Sequence, residues 1–149
     1  MSDNHGRCLC GSVRYTVNGP LRAVVYCHCT MCRRATGHLV AATACATSNL
    51  TIQPTEHLRW YQSSAEAQRG FCDVCGSNVF WKPTDGSRMC IMAGTLDTPT
   101  GLKGVAHIFA DDKGDYYDLD SELPRHIDGE HGVATPEVPG PSLKNYSRT

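Results

Sequence analysis

Most of the nine cysteines stand in three tight groups: Cys8 and Cys10 in "CLC", Cys27, Cys29 and Cys32 in "CHCTMC", and Cys72 and Cys75 in "CDVC". A C-x-C pair in extended chain turns both side chains to one face, and a C-x-x-C turn curls round an ion. Disulfide frameworks join distant cysteines, whereas metal sites gather them in close pairs. The chemistry implied is thiolate coordination, and zinc is the ion that suits four thiolates in a tetrahedron.

"CLC" and "CDVC" together supply four sulfurs. That makes a closed, structural site tying the start of the chain to its middle, with Gly76 placed where a metal-binding turn needs positive φ. "CHCTMC" supplies three. Catalytic zinc sites keep three protein ligands and an open position, and an ion already bearing three thiolates favours a further thiolate over hydroxide. The other reading is a closed site completed by Cys45, His38 or His107. His28, between two ligands in an extended segment, faces away from the metal and supports it from behind. Arg33 and Arg34 are read as a solvated pair on a helical turn, with a bidentate grip on a substrate carboxylate as the second reading. His107 is expected to be a core histidine, Cys45 and Cys90 small buried residues, and Tyr116 and Tyr117 a packing element. No residue is assigned a catalytic proton-transfer role.

The elements that must position these groups are short strands. Period-2 alternation marks "SVRYTV", "LRAVVYC", "HLVAATAC", "HLRWYQ", "AQRGFC", "NVFWK", "RMCIMAG" and "GVAHIFA", with "DYYDLD" as a further candidate. Gly, Pro, Asp and Ser separate them at roughly ten-residue spacing, which indicates an all-β domain. Only "TMCRRATG" reads as a helical turn. The expected organisation is one zinc-binding domain over residues 6–132 and a Pro-rich C-terminal tail over 133–149.

Composition narrows the function. With 14 Lys+Arg against 15 Asp+Glu, the net charge is -1, and nucleic-acid binding, which rests on a basic excess, is not expected. No stretch approaches the roughly 18 apolar residues of a membrane span. "MSDNHGR" lacks the apolar core of a secretory signal, so a soluble cytoplasmic protein with reduced thiols is expected.

The stretches "GRCLCGSVRY", "YCHCTMCRRATG", "RGFCDVCGS", "AGTLD" and "HIFADDK", in this order, resemble the glutathione-dependent formaldehyde-activating enzyme family, which also includes centromere protein V. They span roughly residues 6 to 127. Where members commonly have a tryptophan after "HIF", this chain has Tyr116 and Tyr117. The resemblance implies a zinc-bearing β-tent of short antiparallel strands. It also implies two zinc ions: a structural one on Cys8, Cys10, Cys72 and Cys75, and a second on Cys27, Cys29 and Cys32. The implied activity is a carbon–sulfur lyase or synthase of the S-hydroxymethylglutathione type, with glutathione or a similar small thiol as partner. A non-catalytic zinc module that binds a thiol or protein partner is the alternative.

Overall fold

Alternation along Val13, Tyr15 and Val17 sends these side chains to one face, where all three are buried. They meet Phe80, Met89, Ile91 and Cys45 in the main core, which lies between two sheets. The computed structural model describes residues 3–119 and 122–129; the proposed tail over 133–149 lies outside them. The described strands are β1 (Asn4–Arg7), β2 (Arg14–Val17), β3 (Val24–Cys27), β4 (Val40–Ala46), β5 (Leu50–Ile52), β6 (Leu58–Gln62), β7 (Ala67–Cys72), β8 (Asn78–Pro83), β9 (Arg88–Met92) and β10 (Gly104–Ile108). One helix, α1 (Thr30–Thr36), interrupts them.

The small sheet has the order β1-β2-β5, and the large one β10-β3-β4-β9-β8-β7-β6. The all-β expectation holds, and the pairing is antiparallel except at one edge. There β10 runs parallel to β3 and sets Ile108 opposite Cys27. The chain between β9 and β10 makes the crossover that parallel pairing requires. Central strands β4 and β9 are buried along nearly their whole length, in keeping with "VAATACA" and "RMCIM" being almost continuously apolar. A second apolar cluster gathers Val25, Val40, Met92, Ala106, Ile108 and Phe109 around Cys27, Cys29 and Cys32.

Three elements differ from the sequence reading. β1, "NHGR", has no apolar alternation; it forms because it pairs in register with β2 from Asn4–Val17 to Arg7–Arg14. β5, "LTI", pairs with the other side of β2 and is too short to show a period. "DYYDLD" is not a strand over its described residues. Lys113 Nζ donates to the backbone oxygens of Gly114 and Tyr117 and curls this segment into a turn.

Close packing between the small sheet and the rest turns on Gly6 in β1. A Cβ there would enter the Tyr15 ring and lie 2.7 Å from the Thr95 carbonyl oxygen. Tyr15 cannot retreat readily, because it is buried and its hydroxyl is hydrogen-bonded to Thr95 Oγ1 at 2.7 Å. Gly6→Ala is therefore expected to lower stability by about 1–3 kcal/mol in urea unfolding, the usual cost of overpacking. An unchanged midpoint would show that this contact does not constrain the sheet.

Candidate metal centres

The four-cysteine group is built from two turns. Cys8 and Cys10 follow β1 and end at Gly11, φ 81°; Cys72 closes β7 and leads through Cys75 to Gly76, φ 77°. Both glycines hold the left-handed conformation that a side chain disfavours. The Gly76 N–H donates to the Cys72 carbonyl at 2.9 Å, closing the second turn. Leu9 N–H donates to Ser77 Oγ at 3.0 Å and knits the two turns together. All four sulfurs lie within 4.8 Å of one another, with Cys8–Cys10 at 3.7 Å and Cys10–Cys72 at 3.8 Å. A tetrahedral zinc with Zn–S near 2.3 Å spaces its sulfurs by about 3.8 Å, so the group can take such an ion. Backbone and hydroxyl groups support the sulfurs. Val13 N–H donates to Cys8 Sγ at 3.3 Å, and the Ser12 and Ser77 hydroxyls lie 3.2 and 3.1 Å from Cys10 and Cys75 Sγ. These hydroxyl contacts lower both thiols, Cys75 to about 5, whereas burial pushes Cys72 up to about 11.

The three-cysteine group sits where β3 ends and α1 begins. Cys27 is the last residue of the strand, and Cys29 is the N-cap of the helix, with its sulfur accepting from Cys32 N–H at 3.3 Å. Gly37, φ 88°, stops the helix and returns its N–H to the Arg33 carbonyl at 2.7 Å. All three thiols are buried, and Cys27 and Cys32 Sγ are 3.4 Å apart. They cannot all ionise side by side. Hydrogen bonds from Cys27 and Cys32 pull Cys29 down to about 3. Hydrogen bonding to Cys29 and Cys32, with burial, drives Cys27 well above the thiol range. Against the pull of Cys27, Cys29 and burial raise Cys32 to about 12. Ionisation of Cys29 thus opposes that of Cys27 and Cys32.

No fourth His, Cys, Asp or Glu joins this trio among the described residues. Cys45, His38 and His107, the sequence candidates for closing it, are placed elsewhere. Cys45 lies in the main core and belongs to neither cysteine group, and Cys90 packs with Ala44. His38 Nδ1 is hydrogen-bonded to the Tyr116 hydroxyl at 2.7 Å. His107 is a buried histidine, its Nδ1 2.8 Å from His28 Nε2. His28 Nδ1 in turn meets the Tyr117 hydroxyl at 2.8 Å. His28 therefore turns from the sulfurs and braces the segment between Cys27 and Cys29, as its place in the motif implies. Burial, then the nearby His107, His38 and Lys113, lowers it to about 4, so it is neutral at pH 7. Tyr116 and Tyr117 close over these histidines as a packing element. Phe109, packed in the same cluster, holds φ 49°, the sole positive φ of a non-glycine residue among those described.

The two arginines part company. Arg33 Nε donates to the Asp112 carbonyl at 3.0 Å, a structural tie, while Arg34 stays exposed. Sequence reasoning missed Arg69 of β7. It is 6% exposed, and its Nη2 reaches Cys32 Sγ at 3.7 Å. Its signal was an arginine on the inward parity of "AQRGFC", two residues from the buried Ala67.

Fold and geometry define a small β protein with two cysteine-built candidate metal centres, one with four sulfurs and one with three. The chain belongs to the family whose model is described as glutathione-dependent formaldehyde-activating enzyme, which matches residues 3–112. It is 28% identical over 122 residues to an uncharacterised lyase of Schizosaccharomyces pombe, covering 80% of this chain and 87% of that protein. A solved Rhodobacter sphaeroides protein superposes with a TM-score of 0.52 at 25% identity, covering 67% of this chain and 97% of that one. Family and relative support an enzyme with a glutathione-related, lyase-type function.

Two measurements check the division of the cysteines. Cys8→Ser is expected to lower the melting temperature by on the order of 10 °C or more, since metal binding in a closed site is largely folding free energy. Cys29→Ser is expected to melt within a few degrees of the parent while binding less metal; equal losses would merge the two classes. Zinc added to protein already filled at the four-cysteine group should release about two protons per ion at pH 7, because Cys27 and Cys32 hold theirs until the ion displaces them. Protons compete with the ion, so affinity should rise with pH. A release of none would mean that the ion binds elsewhere.

Proposed function

We propose that the protein is a zinc-dependent carbon–sulfur lyase, equally a synthase in the reverse direction, acting on glutathione or an adduct of the S-hydroxymethylglutathione type. The observation that carries this reading is the buried trio of thiols with no fourth protein ligand among the described residues, in a chain of this family. Cys8, Cys10, Cys72 and Cys75 are assigned to a structural zinc, and Cys27, Cys29 and Cys32 to a second. The sulfur spacings and the N–H groups directed at Cys8 and Cys29 fit that ion. When bound by the trio, zinc would supply an open, soft position that holds a substrate sulfur as its thiolate.

The chain's own residues set the conditions. Val25, Val40, Met92, Ile108 and Phe109 surround the trio with apolar surface, which excludes water and strengthens electrostatic contacts there. The Arg69 guanidinium at Cys32 offsets the negative charge that three thiolates concentrate. His28, neutral and hydrogen-bonded at both ring nitrogens, holds the C-x-C backbone in place and serves as a positioning residue. In the synthetic direction the thiolate sulfur forms a bond to the carbon of formaldehyde, the C=O double bond becomes a C–O⁻ single bond, and water supplies its proton. Lysis reverses each change. All nine cysteines are free thiols, which accords with a reducing compartment such as the cytoplasm. Among the described residues no helix is long and apolar enough to cross a membrane.

Glutathione and formaldehyde combine unaided, so product formation is no test. Exchange NMR at equilibrium measures interconversion while concentrations stay constant. Catalytic amounts of zinc-loaded protein are expected to raise the exchange rate at least about tenfold, and Cys29→Ser to abolish the increase. A shift in apparent equilibrium proportional to protein, with no gain in rate, would favour a non-catalytic thiol-binding or protein-binding zinc module.

A further inference from the structure

The two arginines that bracket the first cysteine pair are directly opposed across the small sheet, Arg7 of β1 against Arg14 of β2. Like charges in that register repel and weaken the pairing unless something answers them. Among the described residues neither arginine makes an ion pair. Arg14 Nε donates to the Gly11 carbonyl at 2.9 Å, while its terminal nitrogens and the whole Arg7 guanidinium bond to no described residue. The two groups nevertheless stay together. Arg7 Nη1 and Arg14 Nη2 lie 3.3 and 3.4 Å from the point that a Gly11 Cβ would occupy. Two forked cations converging on one space make a receptor for an oxyanion.

That space is part of a hollow of about 500 Å³ on the outward face of β1, β2 and β5, a size that suits a small organic molecule. Strand pairing lays polar side chains across it in two rows. Arg7, Arg14 and Gln53 form one, and the Gln53 N–H donates to the Arg14 carbonyl at 3.0 Å. His5, Thr16 and Thr51 form the other, about 7 Å further along the strands. His5 Nδ1 is hydrogen-bonded to the Thr16 hydroxyl at 3.1 Å. Asp97, whose N–H donates to the His5 carbonyl at 2.8 Å, lines the hollow at the His5 end. The hollow is thus cationic at one end and anionic at the other. None of Cys27, Cys29 and Cys32 lines it.

We propose that this hollow binds a small phosphate monoester that also carries a hydroxyl or ammonium group. The phosphate lies between Arg7 and Arg14, whose forked donors match its oxygens. A phosphate monoester bears close to two negative charges at pH 7 and balances both guanidinium groups, whereas a lone carboxylate answers only one. The Gln53 amide and the Thr51 hydroxyl, exposed on β5, add donors beside it. At the far end Asp97 accepts from the hydroxyl or ammonium group and repels a second phosphate. That sets a monophosphate apart from a polyphosphate or a nucleic-acid backbone. The site is separate from the three-cysteine group, so it stands or falls independently of the lyase reading.

Proton–nitrogen correlation NMR of the zinc-loaded full chain tests it, with inorganic phosphate and glycerol 3-phosphate as probes at constant ionic strength in chloride. Both should shift the amides of Gly11, Thr16 and Thr51 to saturation, glycerol 3-phosphate at about tenfold lower concentration. Arg7→Gln, at an exposed position, should weaken both probes about tenfold while metal content and melting temperature stay those of the parent. Asp97→Asn should erase the advantage of glycerol 3-phosphate over inorganic phosphate. Affinity unchanged in Arg7→Gln, or shifts centred on the three-cysteine group, overturns the proposal. Malonate binding as tightly as glycerol 3-phosphate would overturn the choice of phosphate. No response in the parent, together with metal lost from Arg7→Gln, would reduce the arginines to counter-charges for the four-cysteine group and overturn it as well.

Discussion

Repulsion between clustered thiolates is the constraint on which the rest of this structure depends. Sulfurs within 4.8 Å of one another, five of the seven on buried cysteines, cannot all be charged unless a cation lies between them. The two groups meet this constraint differently. Around the four-cysteine group the help is local: Ser12, Ser77 and the Val13 amide sit on the same turns as the sulfurs they contact. Around the trio it comes from far along the chain, from Arg69 on β7 and from apolar residues of β3, β4, β9 and β10. A locally supported group can form wherever its two turns meet. The surroundings of the trio are complete only where the large sheet brings β4, β7, β9 and β10 to β3.

That dependence gives meaning to the one parallel pair. β10 beside β3 puts Ile108 against Cys27 and His107 against Tyr26, so the edge strand covers the trio and buttresses the histidine between Cys27 and Cys29. Just beyond β10 the chain turns sharply at Phe109, whose amide donates to the Asp128 carbonyl at 2.8 Å and whose φ is positive. A buried aromatic residue in that conformation persists only where its surroundings over-determine it, and such positions cluster at functional sites. Here the surroundings are the apolar cluster that also holds the trio.

How much of this the sequence displayed depends on the range of each interaction. The cysteine groupings were legible because C-x-C and C-x-x-C place ligands through local backbone geometry alone. Eight strands were legible through their alternation, and α1 through its turn-like composition. β1 and β5 were not, since neither has a period of its own and each exists as a partner of β2. Tyr116 and Tyr117 read as strand because aromatic residues favour strands, but hydrogen bonds to His38 and His28 took their hydroxyls instead. Arg69 was read only as a strand residue. Period-2 patterning tells which face a residue takes; it does not tell that the face is lined by the sulfur of a helix 37 positions earlier.

The adjacent arginines show how function can be divided by helix geometry. Successive residues on a helix point about 100° apart, so Arg33 and Arg34 cannot share a target. Arg33 is drawn to the Asp112 carbonyl and anchors α1 to the segment after β10. With that face fixed, Cys29 and Cys32 are buried and Arg34 and Ala35 are left exposed. The tie made by Arg33 thereby orients both the cysteine-bearing and the outward surface of the same seven-residue helix. Reading the pair as simply solvated holds for Arg34 alone, and even there solvation is what leaves a guanidinium free to meet a carboxylate.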